Sequence, residues 1–305
     1  MCCLFGLMDY RGHFNARQKT KILSVLSKEC EARGTDATGI AYNSRNDLKI
    51  YKRPLAAHKL RLLIPDDART VMGHTRMTTQ GDERRNYNNH PFRGMADAVS
   101  FALAHNGVLQ NDLRLRKTLK LPDTKIETDS YIAVQLIEHK RTLDLDTLAY
   151  MAGQIEGSFC FTVLDEKDNL YFIKGDNPLC IYQYPRTGLI LYASLEEYLT
   201  KSLTKLKLPM EEPRRIVLDI GEILKISPTG VMNKADFDTT ALYRSWYSPV
   251  YYWPYRDYSL DKNTYVDELK AIAGSFGYTA DDVDTLLGEG FSPEELEEYF
   301  YEGEW

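Results

Sequence analysis

The sequence predicts an α+β protein in which antiparallel sheets are covered by helices on their outer faces. Three observations carry that expectation. Short β-like runs outnumber amphipathic helical segments between residues 1 and 240. Several runs are separated only by hairpin-length turn signals, at Asn43–Asp47, Asp165–Asn169 and Pro185–Gly188. The helical segments are also too few to supply a crossover for each strand pair, which a parallel doubly wound sheet would need.

In chain order, Cys3, Leu4, Phe5, Leu7 and Met8 read as a first core strand over 3–8. A helix follows, with Asn15 as its cap, Ile22, Leu23, Leu26 and Cys30 on one face and Gly34 as its stop. Strands are expected at 38–42, 48–52, 71–76 and 101–106. A second helix starts at Thr128 or Asp129 with Ile132, Leu136 and Ile137 inward, and a third near 145–155 buries Leu148, Met151, Ala152 and Ile155. Strands then recur at 158–164, 170–174, 180–184, 189–193, 215–219 and 222–227.

The text changes at 243–259, YRSWYSPVYYWPYRDYS, which reads as a linker by its two prolines and as an aromatic strap packed across the domain. Three helix-start signatures follow: Thr264 with Asp267, Thr279 with Asp282, and Ser292-Pro293-Glu294-Glu295. With Leu269, Ile272, Val283, Leu286, Leu287, Leu296, Tyr299 and Phe300 they predict a small acidic helical appendage. The expected organisation is a domain over 1–240, the strap over 241–262 and the appendage over 263–305.

A chain of 305 residues that is 43% hydrophobic can bury one large core and a small satellite. The net charge of -6, with basic residues scattered, argues against nucleic acid or an anionic membrane surface as partner. Five cysteines without CxxC or zinc-ligand spacing fit a reducing cytoplasm and point to no metal or cofactor. There is no basic leader and no window approaching a membrane span, so the expectation is a cytoplasmic, unexported protein.

The opening MCCLFG permits two readings. Buried cysteines behave as small hydrophobes, so the pair can simply be packing. Removal of Met1 would instead make Cys2 the first residue, uniting a nucleophilic thiol with a free α-amine that titrates near ~7.7–8.0 and can serve as its base. Cys3 then points to the opposite face of the strand, and Cys160 and Cys180 lie inside apolar runs as core.

Four further stretches stand out: RGTDATGIA at 33–41, GHTRMTTQG at 73–81, NNHP at 88–91 and AHNGVLQN at 104–111, followed by TDS at 128–130. In order and spacing these, with CCLFG, resemble the glutaminase domain of class II glutamine amidotransferases, the N-terminal-nucleophile family that includes glucosamine-6-phosphate synthase and glutamine phosphoribosylpyrophosphate amidotransferase. The resemblance spans residues 2–240 and implies a four-layer αββα sandwich with Cys2 as nucleophile. It also implies that the Asn106 side chain and the Gly107 N–H hold the oxyanion of the tetrahedral intermediate. Arg76, with Thr79, would take the α-carboxylate of glutamine, and Asp129 its α-ammonium. Arg33 and Gly34 match an arginine and glycine near the nucleophile, with Asp36 and Gly39 continuing that motif.

Plainer roles stand beside these. Arg76 could be a surface ion pair, Asp129 a carboxylate at a helix start, Asn106–Gly107 a hairpin turn and Gly34 only a helix stop. His74, His90 and His105 read as hydrogen-bonded scaffolding, because the α-amine already serves as base. The chain departs from the family pattern at Met77-Thr78, where the family often has Trp-Ala, and a thioether there would reshape the pocket mouth.

The resemblance implies hydrolysis of L-glutamine to glutamate and ammonia. Nothing after residue 240 resembles a sugar isomerase or a phosphoribosyltransferase, so the acceptor is expected on a separate synthase subunit. Two alternatives remain: a related hydrolase acting on another γ-glutamyl amide, and a non-enzymatic glutamine sensor.

Overall fold

A computed structural model describes residues 2–207 and 211–247, together with 266, 270, 273, 278–291 and 296. It divides into two compact units, Met1–Ser248 and Pro249–Trp305.

The first unit is built on two sheets. One runs in the order β11 (Arg214–Ile216), β9 (Cys180–Tyr184), β10 (Leu189–Ala193), β1 (Cys3–Asp9), β4 (Thr70–Arg76), β2 (Ala37–Ser44) and β3 (Asp47–Arg53). The other runs β13 (Met232–Asp236), β12 (Glu222–Ile226), β8 (Leu170–Lys174), β7 (Gly157–Asp165), β6 (Val99–Leu109) and β5 (Phe92–Ala96). Every pairing among the described strands is antiparallel. The three hairpins at the predicted turns join β2 to β3, β7 to β8 and β9 to β10.

Strand alternation sorts the side chains into layers. Cys3, Phe5 and Leu7 of β1 pack with α1 (Ala16–Cys30) and α5 (Glu196–Leu206), while Leu4 and Met8 point the other way, into the space between the sheets. On the second sheet, Phe101 and Leu103 pack outward against α3 (Tyr131–Lys140) and α4 (Leu145–Gln154), and Ala102 and Ala104 face inward. The inner layer joins Leu4, Met72, Ala104, Phe172 and Tyr192. This is the four-layer αββα sandwich, with one apolar core under each helical layer and a third between the sheets.

The first helix matches its sequence signals. Asn15 caps α1 through a capping box with Gln18, and a 3₁₀ turn over Glu31–Arg33 ends at Gly34. Elsewhere the structure differs. Helix α3 begins at Tyr131 with Ser130 as its cap residue, so Asp129 lies in the turn before the helix rather than inside it. The helices α2 (Asp112–Leu119), α5 and α6 (Thr240–Tyr247) and the strands β5 and β13 lie where no element was expected, and β11 stops at Ile216. Helix α6 carries the first unit past residue 240: Leu242 is buried in its core and Arg244 pairs with Glu156. The aromatic stretch therefore starts as helix, and its remainder, 248–262, lies outside the described residues.

In the second unit, Thr279 and Asp282 form the expected capping box at the start of α7 (Ala280–Gly288), and Ala273, Val283 and Leu296 are buried together beside Leu286 and Leu287. Thr264, Asp267, Ser292–Glu295, Leu269, Ile272, Tyr299 and Phe300 lie outside the described residues. No helix among the described residues is long and apolar enough to cross a membrane.

Candidate active site

The predicted residues gather at one end of the sandwich because strand register puts them there. Cys2 precedes β1, and Cys3 pairs with Thr75 of β4, so Arg76 at the end of β4 lies beside it. Cys2 shares the parity of Leu4, and Arg76 that of Met72, so both belong to the face turned toward the second sheet. Asn106 shares the inward parity of Ala102 and Ala104 on β6.

The Cys2 thiol is half-buried, and its sulfur lies 3.4 Å from both the N–H and the carbonyl oxygen of Met77. Burial pushes the thiol pKa up, while the Met77 amide and the charge of Arg76 pull it down and Asp129 raises it. Arg33 donates from Nε to the Cys2 carbonyl oxygen at 2.9 Å, holding the residue from behind. Gly34 is required by close approach as well as by the helix end: a Cβ there would lie 2.4 Å from the Arg76 carbonyl carbon and 2.6 Å from the Met77 nitrogen. Asp36 then fastens the same strand end. Its N–H donates to the Arg76 carbonyl at 3.0 Å and its carboxylate accepts from the Thr78 N–H at 2.7 Å.

Arg76 is buried, which rules out the surface ion pair. Its Nη1 donates to Asn89 Oδ1 at 2.7 Å, and Nη2 donates to the carbonyls of Gln80 at 2.6 Å and Gly81 at 3.3 Å. These partners are neutral, so the guanidinium charge remains uncompensated by contact and its fork has N–H groups left for an anion. Asp129 is also buried; its carboxylate accepts from the Leu109 N–H at 2.6 Å and the Ser130 N–H at 2.7 Å. The structure thus brings a thiol, a buried cation and a buried anion into one another's field.

Asn106 and Gly107 sit inside β6, opposite Cys160 and Phe159, not in a hairpin turn. Asn106 is fully buried, and neither its amide nitrogen nor its oxygen has a hydrogen-bond partner. Such an amide costs about 1–3 kcal/mol unless something satisfies it. Gly107 has φ +139°, and a Cβ there would lie 1.9 Å from the Ser158 carbonyl oxygen, so only glycine fits.

The histidines lie behind the site. His74 Nε2 donates to the His105 carbonyl at 2.8 Å, and His105 Nδ1 lies 2.8 Å from Ser130 Oγ. The His90 ring packs tilted against that of His74, centroids 4.2 Å apart, with neither ring nitrogen bonded, which departs from the expected hydrogen-bonded scaffold. Burial lowers all three, His74 to about 3, so they are neutral imidazoles at physiological pH. Among the described residues no group of three or more His, Cys, Asp or Glu side chains is arranged to hold a metal ion.

Thr79 is exposed on the loop after β4, whereas the hydroxyl of Thr78 is buried without a partner. The sequence marked Thr78 only as a departure from the family pattern, and gave no role to Asn89 or Gln80, which hold Arg76. NNHP was visible as a motif, but the pairing of Asn89 with Arg76 exists only in the fold.

Residues 74–201 match the family described as "Glutamine amidotransferase domain". The glutamine–fructose-6-phosphate aminotransferase (isomerizing) of Streptococcus agalactiae is 33% identical over 190 residues, 59% of this chain and 30% of that protein. The 7-cyano-7-deazaguanine synthase of Sulfolobus acidocaldarius is 25% identical over 208 residues, 65% of this chain and 44% of that protein. This chain therefore spans less than half the length of either relative. Among solved structures, the glutamine phosphoribosylpyrophosphate amidotransferase of B. subtilis superposes with a TM-score of 0.62 at 20% identity, over 79% of this chain and 50% of that one, a likeness of fold. Residues 74–201 thus match a glutamine amidotransferase domain, and the motif order and the sandwich are similar to those of the class II, N-terminal-nucleophile glutamine amidotransferases.

Proposed function

We propose that the protein hydrolyses L-glutamine to glutamate and ammonia with Cys2 as nucleophile, exposed as the first residue by removal of Met1. Burial that raises the thiol pKa leaves little free thiolate at neutral pH, so attack needs a base, and the Cys2 α-amine has the appropriate ordinary pKa of ~7.7–8.0. The amine accepts the thiol proton as sulfur bonds to the side-chain amide carbon. The tetrahedral intermediate collapses, and the same proton leaves with nitrogen as ammonia. Water, deprotonated by the amine, then cleaves the γ-glutamyl thioester to release glutamate and restore the thiol.

Arg76 binds the α-carboxylate and Asp129 the α-ammonium, a pairing suited to a free amino acid rather than a peptide. The observation that carries the reading is Asn106, a fully buried amide whose N–H donors lack an acceptor, as an oxyanion site requires before substrate arrives. Ammonia passes to an acceptor on a separate synthase subunit.

Intact mass before and after treatment with an electrophilic glutamine analogue tests the reading. Loss of one methionine and a single adduct, absent in Cys2→Ala, is expected. Retained Met1 with no adduct, or glutamine turnover that survives Cys2→Ala, would overturn it.

A further inference from the structure

The two charges assigned to the glutamine head group come from different sheets. Arg76 ends β4, and Asp129 follows a segment that returns from β6. No strand pairing sets the distance between them, because β4 and β6 belong to separate ladders. A zwitterion nevertheless demands that its two partners keep a fixed separation, to within about 0.5 Å.

Besides the His74–His105 bond between the sheets, Glu127 spans the gap. The Glu127 N–H donates to Asn88 Oδ1 at 2.9 Å, and its carbonyl accepts from Gln80 Nε2 at 2.9 Å. Its Oε2 accepts from Asn88 Nδ2 at 2.8 Å and from the Asp82 N–H at 3.3 Å, and its Oε1 accepts from Arg85 Nη1 at 2.5 Å. Asn88, which answers both the main chain and the side chain of Glu127, is fully buried. Gln80 closes the circuit: its side chain donates to Glu127 while its carbonyl accepts from Arg76. The path from the guanidinium to Asp129 therefore runs through Gln80, Glu127 and Thr128, each link a hydrogen bond or a peptide bond.

We propose that Glu127 is a positioning residue that sets the separation of Arg76 and Asp129 and thereby the affinity for the amino-acid head group. The inference rests on the glutamine reading above. The Glu127–Arg85 ion pair is exposed and contributes little by itself. The acceptor role toward Asn88 and the Asp82 N–H is what holds the loop. That distinction separates the variants. Glu127→Ala loses both acceptors, Glu127→Gln keeps an amide oxygen for them, and Arg85→Ala removes the ion pair, with the exposed contacts of Arg85 to Tyr87 and Asp82, while leaving both acceptors in place.

The test measures glutaminase kinetics, together with alkylation by an electrophilic glutamine analogue and by iodoacetamide, which has no zwitterionic head. For Glu127→Ala the KM for glutamine and the half-saturating analogue concentration should rise about tenfold to a hundredfold, with kcat and iodoacetamide reactivity within about twofold of wild type. Glu127→Gln should recover most of the loss and Arg85→Ala should behave as wild type. An unchanged KM in Glu127→Ala, in a wild-type background that hydrolyses glutamine, overturns the positioning role alone. A fall in kcat matched by a fall in iodoacetamide reactivity, shared by Glu127→Gln, also overturns it, because the whole site would then have collapsed. A wild-type protein that neither turns over glutamine nor reacts with the analogue removes both this inference and the reading it rests on.

Discussion

His74 and His105 tie the two sheets together at the end that holds the site: His74 Nε2 donates to the His105 carbonyl oxygen at 2.8 Å, one residue before Asn106. That bond requires a proton on Nε2, and burial, which lowers the His74 pKa to about 3, keeps the ring otherwise unprotonated and neutral.

Acid should therefore weaken the fold early. The unfolded chain binds protons on His74, His90 and His105 below about pH 6.5, while the folded chain, with all three lowered, resists them. Their contribution to stability is fully present above pH 6.5 and is lost as pH falls, by about 1.4 kcal/mol per unit for each histidine that stays neutral. Urea unfolding between pH 7 and 5 should show a steep slope, and His74→Gln should reduce that slope by about one proton. Equal slopes would mean that His74 titrates alike in both states.

Asn106→Ala removes the proposed oxyanion donor and with it an amide that pairs with nothing in the free protein. Turnover should fall about 10²- to 10³-fold with KM little changed. Stability should stay close to wild type, since no hydrogen bond is lost on truncation. Steady-state kinetics beside a thermal melt separate this from a structural role, which would lower the melting temperature and spare kcat.

Arg76→Lys and Asp129→Asn should differ in kind. Lysine cannot reproduce the fork that reaches Asn89 and Gln80 and still meets a carboxylate, so KM for glutamine should rise at least about tenfold. Asp129→Asn also weakens the acceptor for the Leu109 and Ser130 N–H groups, so it should raise KM and lower the unfolding midpoint together. Arg76→Lys with an unchanged KM would remove Arg76 from the carboxylate site.

Lys52 donates to the carbonyls of Asn89 and Pro91, beside the asparagine that holds Arg76, and burial lowers its pKa to about 8. Between pH 8 and about 10.4 the unfolded chain holds this proton and the folded chain does not, so the lysine's contribution rises with pH by up to about 3 kcal/mol. The difference in unfolding free energy between wild type and Lys52→Met, followed from pH 7 to 10, should show that rise. A flat difference would place the pKa of Lys52 near its ordinary value.

The readable elements were those with periodic burial and a local punctuation mark. Helix α1 has the Asn15 box and Gly34, and the three hairpins have their turn residues. Helix α5 buries Tyr198, Leu199, Ser202 and Leu206 on one face, yet Leu195 before it makes no cap, and its end at Lys207 takes the left-handed conformation without a glycine. Helix α2 ends the same way at Lys120. Strand β13, Met-Asn-Lys-Ala-Asp, is an edge strand largely open to water, and β5 alternates in burial but places Gly94 inward and Met95 outward, so residue types alone do not reveal either strand.

By itself the sequence determined which residues alternate toward the core and which motifs occur in what order, because both are properties of neighbours along the chain. It thereby reached the antiparallel α+β class and the two faces of the first strand, and through its resemblance to a known family it nominated Cys2, Arg76, Asn106, Gly107 and Asp129 as a set. Only the tertiary structure decided how that set is held. Asn106–Gly107 became a strand segment because β7 pairs along its length, Asp129 left the helix to accept from Leu109, and Arg76 was buried by Asn89, Gln80 and Gly81. Each of these depends on hydrogen bonds between segments that are brought together by sheet packing, and such partners carry no periodic signal in the chain.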